Sequence, residues 1–113
     1  MSNVLYTVEQ VISFCRDEKT QIIIVNRIDR KNQDFRAAVG ITYEEEIGEI
    51  RKLRVENLHC EPYLDRDIPG NYLYEFRKEV CGKWCYIKLT IVDKNKILVK
   101  VISFHESEGT SYV

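Results

Sequence analysis

Apolar residues recur every three to four positions in the first half of the chain and alternate with polar ones from about residue 72 onward. In "YTVEQVISFCRDE", Val8, Val11, Ile12 and Cys15 fall on one helical face, and Thr7 and Gln10 have the spacing of a capping box. This predicts a helix over about 8–17. "TQIIIVN", short, isoleucine-rich and bounded by polar residues, predicts a buried strand. Asp29 is placed to cap a second helix through "RKNQDFRAAVG", with Phe35, Ala38 and Val39 on one face and Gly40 as its terminator. A third helix is predicted over about 43–54, opened by Thr42 and Glu45 as a second capping box. Three glutamates fill its first turn and Arg51, Lys52 and Arg54 its last, which suits the helix dipole.

Pro62 and the Pro69-Gly70 pair interrupt regular structure before the alternating region. Folding "LYEFRKEVC" on "WCYIKLTIV" about Gly82-Lys83 sets Cys81 opposite Trp84, Val80 opposite Cys85, Glu79 opposite Tyr86 and Arg77 opposite Lys88. Tyr74, Phe76, Val80, Cys85, Ile87, Leu89 and Ile91 then share an apolar face, on which Lys78 is the one misfit. Glu75, Arg77, Glu79, Tyr86, Lys88 and Thr90 share the other. "KILVKVISFHES" is a third strand after the turn "DKNK", and its register decides where His105 points. A two-residue turn at Lys94-Asn95 puts Ser103 opposite Tyr86 and His105 opposite Trp84; a three-residue turn sends His105 to the core. The expected fold is α+β, with N-terminal helices packed on one face of a C-terminal antiparallel β-meander, as a single domain over 1–113.

Composition narrows the classes of function. The chain has 113 residues, 44% hydrophobic and 31% charged, which is enough for one core. Its start does not resemble a signal peptide and no apolar run approaches the ~18 residues of a membrane span, so a cytoplasmic, non-membrane protein is expected. There Cys15, Cys60, Cys81 and Cys85 are expected to be reduced, and strand alternation sends the sulfurs of Cys81 and Cys85 apart, so that CGKWC neither chelates nor bridges. With two histidines and no paired C-x-x-C or H-x-x-x-H spacing, no metal site is expected. No Gly-rich phosphate loop points to a cofactor.

The formal net charge is -1, yet residues 68–100 hold seven Lys/Arg against three Asp/Glu. Within this segment Tyr86, Lys88 and Arg77 cluster on the polar face, joined by His105 in one of its two registers. Arg and Lys can hold a phosphodiester and stabilise charge developing on phosphorus, while Tyr or His can exchange protons or stack a base. Such a set suits transesterification of RNA by its own 2′-hydroxyl. The plainer alternative is the ordinary decoration of an amphipathic sheet.

"YIKLTIVDKNKILVKVISFHES" resembles the C-terminal signature of MqsR-type toxins, an aromatic-Ile/Leu-Lys-Leu/Ile strand followed by one ending in Ser-Phe and a basic residue. "RKNQDFRAAVGIT", "YLDRDIPG" and "YEFRKEVCGKWCYIKL" resemble further segments of the family in the same order, so the similarity runs from about residue 27 to 106. The resemblance implies a RelE-like fold, metal-independent cleavage of mRNA, no cofactor, and a cognate antitoxin as partner. It places Tyr86 at the family's catalytic tyrosine, Lys88 at the lysine after it and His105 at the basic position after Ser-Phe. The family's other catalytic lysine would fall near "HCEPY", where no lysine stands; Arg66 or Arg77 is expected to supply that cation. A non-catalytic protein-binding module, a degenerate toxin or an immunity-type protein, is the alternative that better suits the acidic balance.

Overall fold

The computed structural model describes residues 5–107. Helix α1 (Val8–Arg16) buries Val11, Ile12 and Cys15, and its capping box forms as the spacing predicts. The Gln10 N–H donates to the Thr7 hydroxyl at 3.1 Å, and the Thr7 N–H donates to the Gln10 side chain at 2.8 Å. Strand β1 (Gln21–Ile24), helix α2 (Lys31–Val39) and helix α3 (Tyr43–Arg51) follow. Thr42 and Glu45 close the same reciprocal pair of bonds on α3, at 3.0 and 2.8 Å.

Two local expectations shift. Helix α3 stops at Arg51 rather than near 54, and the chain then makes a 3₁₀ turn at Val55–Asn57. The Arg51 guanidinium, besides sitting favourably at the helix end, donates to the carbonyls of Cys15, Asp17 and Thr20 at 3.1, 2.8 and 3.1 Å, which ties α3 to the end of α1. Asp29 is not the N-cap of α2; Arg30 holds that place with a φ of 65° and no side-chain capping bond. Asp29 still accepts from the Lys31 N–H at 3.1 Å, so it satisfies a first-turn donor from one residue further out. Gly40 ends the helix at a φ of 75°, a left-handed conformation that glycine adopts without a Cβ clash.

The sheet has five strands in the order β1-β5-β4-β3-β2, with β2 at Tyr63–Leu64, β3 at Tyr72–Val80, β4 at Lys83–Asp93 and β5 at Ile97–Glu106. Strands β3, β4 and β5 form the expected antiparallel meander. The sheet as a whole is mixed, because β1 pairs parallel with β5 from Gln21↔Leu98 to Ile24↔Val101. An isoleucine run announces a buried strand but carries nothing about its partner, so this edge was not legible in the pattern.

The β3–β4 turn falls at Cys81-Gly82, one residue before the predicted position, with φ values of 54° and 76°. A two-residue hairpin turn that matches the strand twist needs positive φ at both central positions, and glycine at the second makes this inexpensive. The pairing becomes Val80↔Lys83, Glu79↔Trp84, Arg77↔Tyr86 and Glu75↔Lys88. Relative to the expected register β4 has slid by two residues, and an even slide keeps every side chain on its face. Tyr74, Phe76, Val80, Cys85, Ile87 and Leu89 are accordingly all buried in the core under the helices. Cys81 sits exposed in the turn, while Cys85 is buried with its thiol pushed up to about 12, chiefly by burial. Lys78, the misfit, is neutralised where it stands: its Nζ lies 2.9 Å from Glu49 Oε1.

Strand β5 combines features of both registers considered for it. Asp93 pairs with Ile97 around a three-residue turn, and this register runs as far as Leu89↔Val101, which by itself would turn His105 into the core. The register then shifts between Lys88 and Leu89, leaving Ile102 unpaired as a β-bulge, and resumes as Lys88↔Ser103 and Tyr86↔His105. The buried residues Val99, Val101 and Phe104 explain the shift, since an unbroken alternation would turn Phe104 outward. Burying a phenylalanine is worth about 1.5–3 kcal/mol, more than one interrupted ladder bond. No helix among the described residues is long and apolar enough to cross a membrane.

Candidate functional site

The uncovered face of the meander carries its side chains in rows that cross three strands. Arg77 on β3, Tyr86 on β4 and His105 on β5 form one row; Glu75, Lys88 and Ser103 form the next. Arg77, Tyr86, Lys88, Ser103 and His105 line a cleft of about 300 Å³, closed on the β5 side by Arg27 and Lys31 and at the strand end by Ser107. Arg27 lies just after β1 and Lys31 opens α2, so the loop between these elements forms one wall.

The cationic side chains are held by short contacts. Arg27 Nη1 donates to Ser103 Oγ at 2.5 Å, and its Nε and Nη2 grip both oxygens of Asp29 at 2.9 and 2.7 Å. That fork holds the Asp29 carboxyl down to about 2, the Arg27 hydrogen bonds being the largest cause and the Lys31 N–H the next. Arg77 lies over the Tyr86 ring with its Cζ 5.0 Å from the centroid, and its Nη1 donates to Ser107 Oγ at 2.9 Å. Its buried Nε has no hydrogen-bond partner. The face of this guanidinium is fixed by the ring and the serine, which leaves one donor unspent inside the cleft wall.

Two groups in the cleft, Tyr86 and His105, can carry a proton. The Tyr86 hydroxyl is pushed up to about 12, by burial first and then by the charge of Glu75 and a hydrogen bond with it, against the opposing pull of Arg77. Tyr63 also donates to Glu75, and burial together with that bond raises its hydroxyl as well. Tyr86 is therefore a proton donor throughout the neutral range. The His105 ring stands 5.7 Å from the Tyr86 ring at 44°, and its Nδ1 lies 3.0 Å from the Glu106 carbonyl. A carbonyl only accepts, so Nδ1 carries the hydrogen in this contact, and in the neutral ring Nε2 is then the acceptor.

Of the five residues expected at the site, four come together: Tyr86, Lys88, Arg77 and His105 all line the cleft. Arg66 does not. It is exposed on the loop after β2, beside Asp65, whose carboxyl is held down first by the Asp67 N–H and, as a smaller effect, by Lys88. Neither Arg66 nor any other residue of this loop is in the lining of the cleft. The pattern of the sequence missed Arg27, Lys31 and Ser107 and, in one of its two registers, set Ser103 opposite Tyr86 rather than Lys88; the first two lie more than 70 residues from the serines and join them because β1 pairs in parallel with β5. Cys60 is exposed, and its thiol is raised by burial and then by Glu75, the opposite of an activated nucleophile.

Among the described residues no group of three or more His, Cys, Asp or Glu is arranged to hold a metal ion. Glu46 lies in the acidic first turn of α3 as the sequence reads, and is in addition buried against Arg36 at 2.8 Å. No family model matches the chain, and no curated protein or solved structure matches it either.

Proposed function

We propose that the chain is an endoribonuclease acting on single-stranded RNA by transesterification, the toxin of a toxin–antitoxin pair of the kind its sequence resembles. One observation carries the reading: Arg77, Tyr86 and His105 stand in a single row, with Lys88 in the next, and all four line one open cleft. In this scheme the RNA 2′-oxygen attacks the adjacent phosphorus. The P–O2′ bond forms, the P–O5′ bond breaks, and the products are a 2′,3′-cyclic phosphate and a 5′-hydroxyl. His105 Nε2 takes the 2′ proton and then releases it to solvent, while the Tyr86 hydroxyl, still protonated at neutral pH, donates to the departing 5′-oxygen and is reprotonated from solvent. Arg77 and Lys88 face the non-bridging oxygens, where negative charge grows in the transition state. Arg27 and Lys31, rather than Arg66, add the flanking cations, and the scheme calls on no metal.

The same proposal puts the protein in the bacterial cytoplasm, with mRNA as substrate and an antitoxin as partner. Its test is inducible expression of the chain alone, with growth and transcript integrity followed together. Growth arrest with shortened transcripts, both absent for His105→Ala, is the expected result. Normal growth with intact transcripts would favour the second reading, a non-catalytic protein-binding module. That reading is supported by the overall charge of -1 and by the neutralisation of Arg27 by Asp29.

A further inference from the structure

We infer that Asn32 is a positioning residue that fixes where β5 bulges, and through the bulge decides that Ser103 stands opposite Lys88 in the cleft. Asn32 lies in the first turn of α2, is 0% exposed, and spends its whole side-chain amide on strand backbone. Its Nδ2 donates to the carbonyls of Val25 and Ile102 at 2.9 and 3.0 Å, and its Oδ1 accepts from the Phe104 N–H at 2.8 Å. The last two bonds bracket Ser103 and end on the unpaired Ile102.

Burial of Phe104 fixes only that one residue must be left over between Val101 and Phe104, and it does not choose between Ile102 and Ser103. With Ser103 left over, Ile102 would face Lys88, and Arg27 would lose the hydroxyl that its Nη1 reaches at 2.5 Å. The amide of Asn32 settles the choice, because it binds the Ile102 carbonyl and the Phe104 N–H on either side of Ser103 and so fixes the backbone at the bulge. The same side chain holds the end of β1, where Val25 leads to Arg27, and the start of α2, where Lys31 stands. One buried amide thus aligns three of the cleft's walls without touching a substrate.

The effect on cleavage rests on the ribonuclease reading; the effect on register does not, and the test separates them. In the full chain, NMR should show cross-strand contacts between Lys88 and Ser103 and slow exchange of the Phe104 amide. Asn32→Ala should speed that exchange at least tenfold and replace the Lys88–Ser103 contacts with Lys88–Ile102 ones. Tyr86–His105 contacts should persist, because Phe104 still holds that register. Cleavage of an oligoribonucleotide should fall at least tenfold in kcat/KM while unfolding stays cooperative. Deleting Ile102 in the Asn32→Ala chain removes the surplus residue, so that Ser103 meets Lys88 without the amide, and should restore those contacts and raise the rate again. Lys88–Ser103 contacts unchanged in Asn32→Ala, with only a lower melting temperature, would overturn the inference. Should Asn32→Ala not fold, Asn32→Asp keeps the acceptor for Phe104, loses both donors, and carries the same comparison. If the wild-type chain leaves RNA intact, the enzymatic reading fails while the contacts still decide the role of Asn32.

Discussion

Arg77 and Lys78 are neighbours on β3 that point to opposite faces of one sheet, and the protein treats their charges in opposite ways. On the helix side Lys78 is 2.9 Å from Glu49, and Arg36, from α2, is 2.8 Å from the fully buried Glu46. Both of these cations are matched by a carboxylate. On the open side Arg77 is held by a tyrosine ring and a serine hydroxyl, and Lys88 lies across from Glu75, whose carboxylate is already engaged by tyrosine hydroxyls. Charge on the covered face is spent on the fold itself, whereas on the open face Arg77 and Lys88 are oriented without a dedicated carboxylate, and Arg27 at the cleft wall is matched by Asp29. A cation held by uncharged groups keeps its field, which a surface that binds phosphates requires.

If the faces divide in this way, substitutions on the open side should affect chemistry and those on the covered side should affect stability. The largest effects are expected at the row itself. His105→Ala should lower kcat by about 10²–10⁴-fold, the usual contribution of a proton-transfer group, and Arg77→Ala by about 10²–10³-fold, both with melting temperatures near that of the wild type. Lys78→Met, one residue away from Arg77, should leave the cleavage rate unchanged; an equal loss there would erase the distinction.

Next in size is the buried pair. Arg36→Met leaves Glu46 buried without its partner and should cost about 3–5 kcal/mol in urea unfolding, and adding Glu46→Leu should recover most of it. Burial raises the Glu46 carboxyl in spite of the Arg36 bond, which marks desolvation as the dominant cost, and each side chain leaves one atom without a hydrogen-bond partner. A smaller effect belongs to single phosphate contacts. Lys88→Ala should reduce the slope of log affinity for single-stranded RNA against log salt by about 0.7, with no change in stability. The smallest is alkaline. Because the Tyr86 hydroxyl is raised from 10.0 to about 12 on folding, its contribution is full below pH 10 and lost as pH rises toward 12. Tyr86→Phe should flatten that part of the stability profile.

How much of this was legible in the sequence depended on the range of the interactions involved. Both capping boxes lie within four residues, and both formed as predicted. The face of every β3 and β4 side chain was readable even though the turn lies at Cys81-Gly82, because a two-residue slide preserves alternation. His105 was ambiguous for a physical reason. Its face depends on the turn length and on a bulge together, and the bulge is visible only as a break in spacing between Val101 and Phe104. Arg27, Lys31 and Asn32 enter the site through a parallel pairing between residues more than 70 apart, which no local pattern encodes. Arg66 stood in the right segment of the chain, but on a loop whose side chain stays outside the cleft.

The claim that the open face performs RNA transesterification is tested most directly by incubating the purified chain with two oligonucleotides of one sequence, all-ribose and 2′-deoxy throughout, and analysing the ends by mass spectrometry. The account predicts fragments of the ribose strand that carry a 2′,3′-cyclic phosphate and a 5′-hydroxyl, an untouched deoxy strand, and loss of cleavage in Arg77→Ala and His105→Ala. An intact ribose strand, or equal cleavage of both strands, would contradict it.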